Sequence, residues 1–352
     1  MAEMTKEDFR KRYESVLESV LSCDVLSTDT RLSDVLERLR SLLDYTVPDG
    51  KLNRGLAVVQ TYQLIENSRT DINDDEKQAL KEQAIYVGWA VEIMQAFFLI
   101  ADDMMDHSET RRGKPCWYKV PSVDLDAIND TFFLEQIVYK LIKAKCHKLP
   151  CYPKIVDLFH DIVYRTTIGQ TMDLVTAPVG KPNLDKFSEE RYLSIATYKT
   201  AYYSIYLPIV CAVLLTGLDS EKLLKKIEEI SIGLGVYFQI QDDFLDLYGD
   251  PAVTGKIGTD IQDNKCSWLV VQALKHCSNK QRDILNENYG YFDDLKIEKV
   301  KEVFEQLDLK SRFREYEDSS YHKLMENISK LENDGVKNAF EVLIAKLYKR
   351  CK

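Results

Sequence analysis

Gln95-Ala96-Phe97-Phe98-Leu99-Ile100-Ala101-Asp102-Asp103-Met104-Met105-Asp106, followed closely by Arg111-Arg112, decides the reading of this chain. From Ala84 to Met105 the residues favour helix, with one glycine and no proline, so the aspartates are expected at the end of a long buried helix. Asp102 and Asp106 are i, i+4 and share a helix face. Asp103 lies about 100° round the helix and reaches the same ligand shell only from its flank. Carboxylates ending an apolar helix, with two arginines after them, suit hard cations that bridge protein to phosphate. A solvated acidic helix end would carry the same residues, so one copy leaves both readings open.

A second copy breaks the tie. Gln239-Ile240-Gln241-Asp242-Asp243-Phe244-Leu245-Asp246 repeats the D-D-x-x-D pattern, again after an apolar helical run. With 32 aspartates in 352 residues, roughly 0.26 such patterns are expected by chance. Two copies in matching contexts point to paired cation sites.

Composition bounds the rest. A hydrophobic content of 45% and a charged content of 30% are ordinary for a globular protein. The net charge of −10 argues against a nucleic-acid surface, although a local basic cluster or bound metal still admits an anionic substrate. The eight cysteines are scattered without C-x-x-C spacing, which fits a reducing compartment, and a cytoplasmic location is expected. The longest apolar run, Ala201 to Gly217, contains Pro208 and reads as a buried core helix, so no membrane span is expected.

In order along the chain, residues 1–45 read as two amphipathic helices, and Pro48-Asp49-Gly50 as a turn. Lys51 and Arg54 then begin a helix three residues apart, where cations beside free N–H groups make an anion site. Asp71 to Asp75 reads as an acidic loop, and Glu109 to Pro115 as a basic one. Helices are expected over 130–146, 153–174 and 192–215, then over 221–230 and separately over 233–247. Lys199-Thr200 sits among aromatic residues, and a lysine in so apolar a setting needs an anionic partner. The loop from Gly249 to Asp260 carries Lys256. Its spacing is not that of a Walker site, yet it fits a phosphate lid. No strand-period run or 20–50-residue repeat appears, so the expected fold is all-α and a single domain over 1–352.

Together these pieces resemble the trans-isoprenyl diphosphate synthase family. The resemblance rests on Gly50-Lys51-Leu52-Asn53-Arg54-Gly55, both aspartate clusters, Arg111-Arg112-Gly113, Gly169-Gln170 to Asp173, Lys199-Thr200, Phe238-Gln239, Lys256, Lys265 and the basic tail. It implies an antiparallel helical bundle of the isoprenoid synthase type with a deep central cavity, and a homodimer. It also implies Mg²⁺, with Mn²⁺ as a substitute, held by Asp102, Asp106 and Asp242, with Asp103, Asp243 and Asp246 in or near the shell. Arg111, Lys199, Thr200, Gln239, Lys256 and Lys265 match positions that hold an allylic diphosphate. Lys51, Arg54, Gln95 and Arg112 match those for isopentenyl diphosphate.

The implied reaction condenses dimethylallyl and then geranyl diphosphate with isopentenyl diphosphate to give farnesyl diphosphate. Metal and arginine would stabilise charge on the leaving diphosphate, and the backbone or hydroxyl oxygens of Lys199-Thr200, with Gln239, the allylic cation. The departed diphosphate would act as the base, which suits five histidines that read as surface residues. Phe98 and Phe97 lie about 6–7.5 Å deeper along the helix than Asp102 and match the chain-length positions of the family. Alternatives on the same machinery are a geranyl or geranylgeranyl diphosphate synthase and an inactive regulatory subunit. A class I terpene cyclase would carry an Asn/Ser/Glu second motif, and a di-iron bundle E-x-x-H pairs; neither is present.

Overall fold

The computed structural model describes residues 3–22, 28–67, 69, 72–178, 180–250 and 258–348. The first helices are α1 (Lys6–Lys11), α2 (Tyr13–Leu21), α3 (Ser33–Thr46), α4 (Asn53–Asn67) and α5 (Asp74–Met105). A two-stranded hairpin follows, β1 (Thr110–Arg111) antiparallel to β2 (Lys114–Pro115). Then come α6 (Ala127–Cys146), α7 (Tyr152–Thr176), α8 (Glu189–Ile195), a π-helix (Ala196–Tyr206), α9 (Leu207–Thr216) and α10 (Glu221–Tyr248). The chain ends with α11 (Trp268–His276), α12 (Asn279–Asn288), α13 (Asp294–Gln306), α14 (Leu309–Ser329) and α15 (Asp334–Leu347). The all-α expectation holds.

Contacts group the chain into two compact units. The first comprises residues 1–161, 206–227 and 331–339, and the second 162–205, 228–330 and 340–352. The first is built around α5. Asn73 caps that helix in a reciprocal box with Glu76, and Asp74, Asp75 and Glu76 complement the positive end of its dipole. From Ala84 to Met94 nearly every residue is buried, with α4 and α6 packed on it. The crossing of α4 and α5 is tight enough that a Cβ on Gly55 would stand 2.6 Å from the Gly88 carbonyl oxygen. Phe9 wedges beside this crossing and stacks on Trp89 with centroids 4.7 Å apart.

In the second unit, α11 to α14 pack around an aromatic core. Phe244 of α10 stacks on Phe313 at 3.9 Å, and Trp268 meets the same ring edge-on. The π-helix is pinned from two sides. A Cβ on Gly169 of α7 would lie 2.1 Å from the Lys199 backbone nitrogen, and one on Gly235 of α10 would lie 2.3 Å from the Ala201 Cβ.

Several expectations are corrected. The stretch expected as one helix over 192–215 is α8, a π-helix and α9 in succession, because two glycines let neighbouring helices press on its backbone. The separate helices over 221–230 and 233–247 are one continuous helix; Gly233 faces Leu324 and Gly235 faces Ala201, so the glycines serve packing and not a break. The described part of residues 1–45 holds α1, α2 and most of α3 with a 3-10 turn, where two helices were expected. Asp74 and Asp75 are not loop residues but the first turn of α5. Lys51 precedes α4 rather than starting it, and Leu52 between them adopts a left-handed backbone.

Among the described residues, two helical stretches, α5 and Glu189–Thr216, are long and apolar enough to cross a membrane. In their most apolar windows 67% and 83% of residues are buried inside the protein, as in core helices. The described cysteines, Cys116, Cys146, Cys151, Cys211, Cys266 and Cys277, are free thiols.

Candidate active site

Both aspartate clusters stand at the C-terminal ends of long helices, α5 and α10. Helix carbonyls already make that end negative, so three carboxylates there are electrostatically costly unless cations join them. This placement is the first sign of cation binding.

In the first unit, Asp102 and Asp106 are partly exposed, while Asp103 is buried. Asp103 is turned into the protein and grips Arg111: Nε donates to both carboxylate oxygens at 2.8 Å, and Nη2 donates to Oδ1 at 2.5 Å. Burial raises the Asp103 pKa, and Arg111 opposes the rise. Arg111 also lies 3.9 Å from Asp102. Asp103 therefore orients an arginine from the flank of the Asp102–Asp106 face. The tight hairpin brings Arg111 back to the end of α5. Its two turn residues, Arg112 and Gly113, both have positive φ (55° and 76°), as a type I′ turn requires.

The expected isopentenyl diphosphate residues also belong to this unit. Arg54 Nη1 donates to Gln95 Oε1 at 3.4 Å, Arg112 Nη1 donates to the Thr46 carbonyl at 3.0 Å, and Lys51 is exposed. The buried Glu92 accepts the Gly55 N–H at 2.7 Å and interacts electrostatically with Arg54 and Arg112. Glu92 was not singled out from the sequence, although it is the one charged residue between Glu82 and Asp102. Phe97 and Phe98 are half-buried, with ring centroids 4.1 Å apart. Phe98 lies one turn before Asp102 on its face of α5.

In the second unit a polar relay joins the expected residues. The Thr200 hydroxyl donates to Gln239 Oε1 at 2.7 Å, Gln239 Nε2 donates to Asp243 Oδ1 at 2.8 Å, and the Trp268 N–H donates to Asp243 Oδ2 at 2.7 Å. Asp243 is buried, and burial raises its pKa. Like Asp103, it is the middle carboxylate of its motif, and both its oxygens accept from protein donors. Asp242 and Asp246 are partly exposed, and Asp246 Oδ2 accepts the Asp260 N–H at 3.0 Å.

Lys199 finds its anionic partner in Asp173, with Nζ 2.6 Å from Oδ2; Lys265 Nζ approaches the same oxygen at 3.5 Å. Burial alone would raise the Asp173 pKa, but the two ammonium groups outweigh it and hold it at about 2. The pairing of both lysines on Asp173 was not foreseen; the signal was its place four residues after Gly169, on the face turned to Lys199. Lys256 and the tail from Lys349 lie outside the described residues. All five histidines are exposed, as expected.

Among the described residues no three Asp, Glu, His or Cys side chains form a preassembled metal cage. What the clusters offer is two partly exposed carboxylates each, with Arg111 beside the first pair. That donor set fits Mg²⁺, which takes one or two carboxylates and completes its shell with water and substrate phosphate.

Residues 36–307 match the polyprenyl synthetase family, and the chain belongs to it. Its relatives carry a more particular name. The rat farnesyl pyrophosphate synthase is 47% identical over 348 residues, spanning 99% of this chain and 96% of that one. The chicken farnesyl pyrophosphate synthase is 49% identical over 321 residues, spanning 91% and 86%. A solved T. brucei farnesyl diphosphate synthase complexed with risedronate superposes with a TM-score of 0.89 at 32% identity, covering 99% of this chain and 100% of that one.

Proposed function

We propose that residues 1–352 act as one Mg²⁺-dependent prenyltransferase. It condenses dimethylallyl and then geranyl diphosphate with isopentenyl diphosphate and releases farnesyl diphosphate. The observation that carries this reading is the repeated placement of a D-D-x-x-D motif at a helix C-terminus, with Arg111 beside the first copy and the Thr200–Gln239 relay beside the second. Asp102, Asp106, Asp242 and Asp246 would hold the metal, Mg²⁺ or Mn²⁺. When bound, the ions neutralise the diphosphate that leaves the allylic carbon.

The chain's own groups do the rest. Asp103 presents Arg111 to the allylic diphosphate as a fixed fork. Asp173 keeps Lys199 and Lys265 together, so two ammonium groups meet the same diphosphate without first being gathered. The Thr200–Gln239–Asp243 relay spends the Thr200 proton on Gln239, leaving the hydroxyl lone pairs to face positive charge developing on the allyl group. Lys51, Arg54, Gln95 and Arg112 hold isopentenyl diphosphate while its alkene attacks. The departed diphosphate takes the proton, since every histidine is exposed and both middle aspartates are committed.

Product length tests the reading against shorter- and longer-chain synthases. Phe98, backed by Phe97, would floor the pocket one helical turn beyond Asp102. Incubation with dimethylallyl and isopentenyl diphosphates is expected to stop at fifteen carbons. Phe98→Ala should extend the product by at least one five-carbon unit, and the double change with Phe97→Ala further still. Fifteen-carbon product from both variants at good turnover would place the floor elsewhere, and no Mg²⁺-dependent diphosphate release from the unaltered protein would leave a regulatory subunit.

The reading includes a homodimer. Ile128 and Phe132, 49% and 61% exposed, are i, i+4 on α6, and Leu125, 66% exposed, lies in the 3-10 turn just before it; a second copy of the chain would cover these apolar side chains. Phe132→Asp is expected to halve the mass measured by light scattering at micromolar concentration, and an unchanged mass would remove this face from the interface. The free thiols support a reducing compartment, and the cytoplasm is the location proposed.

A further inference from the structure

Arg112 is held at three points, and one of them is an absence. Its backbone is the first left-handed residue of the hairpin turn, and its Nη1 donates to the Thr46 carbonyl at 3.0 Å. The third point is Gly50. A Cβ built on Gly50 would stand 2.8 Å from Arg112 Nη2, 3.0 Å from Cζ and 3.2 Å from Nη1. Three guanidinium atoms at nearly one distance mean that the plane lies flat on the face where a side chain would be.

The usual reason for a glycine in a turn does not apply here. The described glycines with a left-handed backbone are Gly113, Gly180, Gly217 and Gly290, and Gly50 is not among them. An L-residue fits its backbone without strain, so what the position excludes is volume. Asp49 beside it bonds Arg10 and Lys114, which ties this turn to the hairpin that carries Arg112.

We propose that Gly50 is a positioning residue for Arg112: its missing side chain is the seat that sets the guanidinium among the isopentenyl diphosphate ligands. The proposal rests on the reading that Arg112 binds that diphosphate. A methyl group at position 50 pushes only the far end of a flexible side chain, so the fold tolerates it. A planar fork displaced by several tenths of an ångström no longer meets phosphate oxygens along both donors.

The test is a double-mutant cycle on the full-length enzyme, with Gly50→Ala, Arg112→Ala and the double variant. Gly50→Ala is expected to raise the KM for isopentenyl diphosphate about tenfold, with kcat and the allylic KM within about twofold. Tm should be unchanged, and Gly50→Ala should add nothing once Arg112 is alanine. If Arg112→Ala raises that KM while Gly50→Ala does not, the positioning role is wrong and the ligand reading stands. A Gly50→Ala effect of the same size in both backgrounds also overturns it, since the glycine would then act through something else. If Arg112→Ala leaves the KM unchanged, the ligand reading itself fails and the proposal falls with it.

Discussion

Replacing Asp102 or Asp242 with alanine is expected to lower turnover by roughly a hundred- to a thousandfold, the scale seen when a group stabilising transition-state charge is lost. Chelation of metal with EDTA should do the same to the unaltered enzyme. The argument begins with where the carboxylates stand. Each cluster ends a long helix, α5 or α10, whose terminal carbonyls already carry about half a negative charge. In a metal-free protein such carboxylates oppose the dipole at a cost of about 0.3–1 kcal/mol each. The two alanine variants should therefore keep or slightly raise Tm in EDTA while losing activity. A fall in Tm would make the lost activity a folding effect. Near-normal rates in EDTA would remove metal from the reaction altogether. The middle carboxylates should behave differently. Asp103→Asn removes the buried carboxylate that pairs with the partly exposed Arg111, so it should lower stability as well as activity.

That difference was half legible in the sequence. Helical geometry separates Asp103 from the Asp102–Asp106 face by about 100°, and the structure turns it to Arg111 accordingly. The cap of α5 was legible in full: Asn73 and Glu76 have capping-box spacing, yet the run of aspartates beside them reads as loop. Gly233 and Gly235 mislead for a physical reason. A glycine lowers helix propensity locally, but here each is placed where another element presses on α10, and only tertiary contact shows that. The π-helix was not legible at all, because Tyr192 to Leu215 has ordinary helix-forming composition and its altered hydrogen bonding arises from neighbours. The same holds for Asp173. Its residue type suggested an anion, but the convergence of Lys199 and Lys265 on one oxygen belongs to the fold.

Gly169→Ala should lower kcat by about a hundredfold or more, although the substitution adds a single methyl group to a helix. On propensity alone, glycine to alanine inside α7 stabilises by about 1 kcal/mol. Packing decides the other way. The new Cβ would lie 2.1 Å from the Lys199 nitrogen, 2.5 Å from the Tyr198 carbonyl carbon and 2.6 Å from the Lys199 Cα, all of them backbone. No rotamer relieves such a contact, so the helix or the π-helix must move, at a cost of about 1–3 kcal/mol. Asp173 is four residues on and shares the face of Gly169, so any retreat of α7 also draws its carboxylate from Lys199 and Lys265. The lysine pair and the Thr200 hydroxyl then lose their register together. Gly233→Ala is the matched control on a neighbouring helix. Its Cβ would meet Leu324 Cδ2 at 2.9 Å, the far end of a flexible side chain, and turnover should stay within about threefold of the unaltered enzyme. Gly169→Ala that folds with wild-type kcat would show that the π-helix tolerates displacement, and that Lys199 and Thr200 do not act from the place where Gly169 holds them.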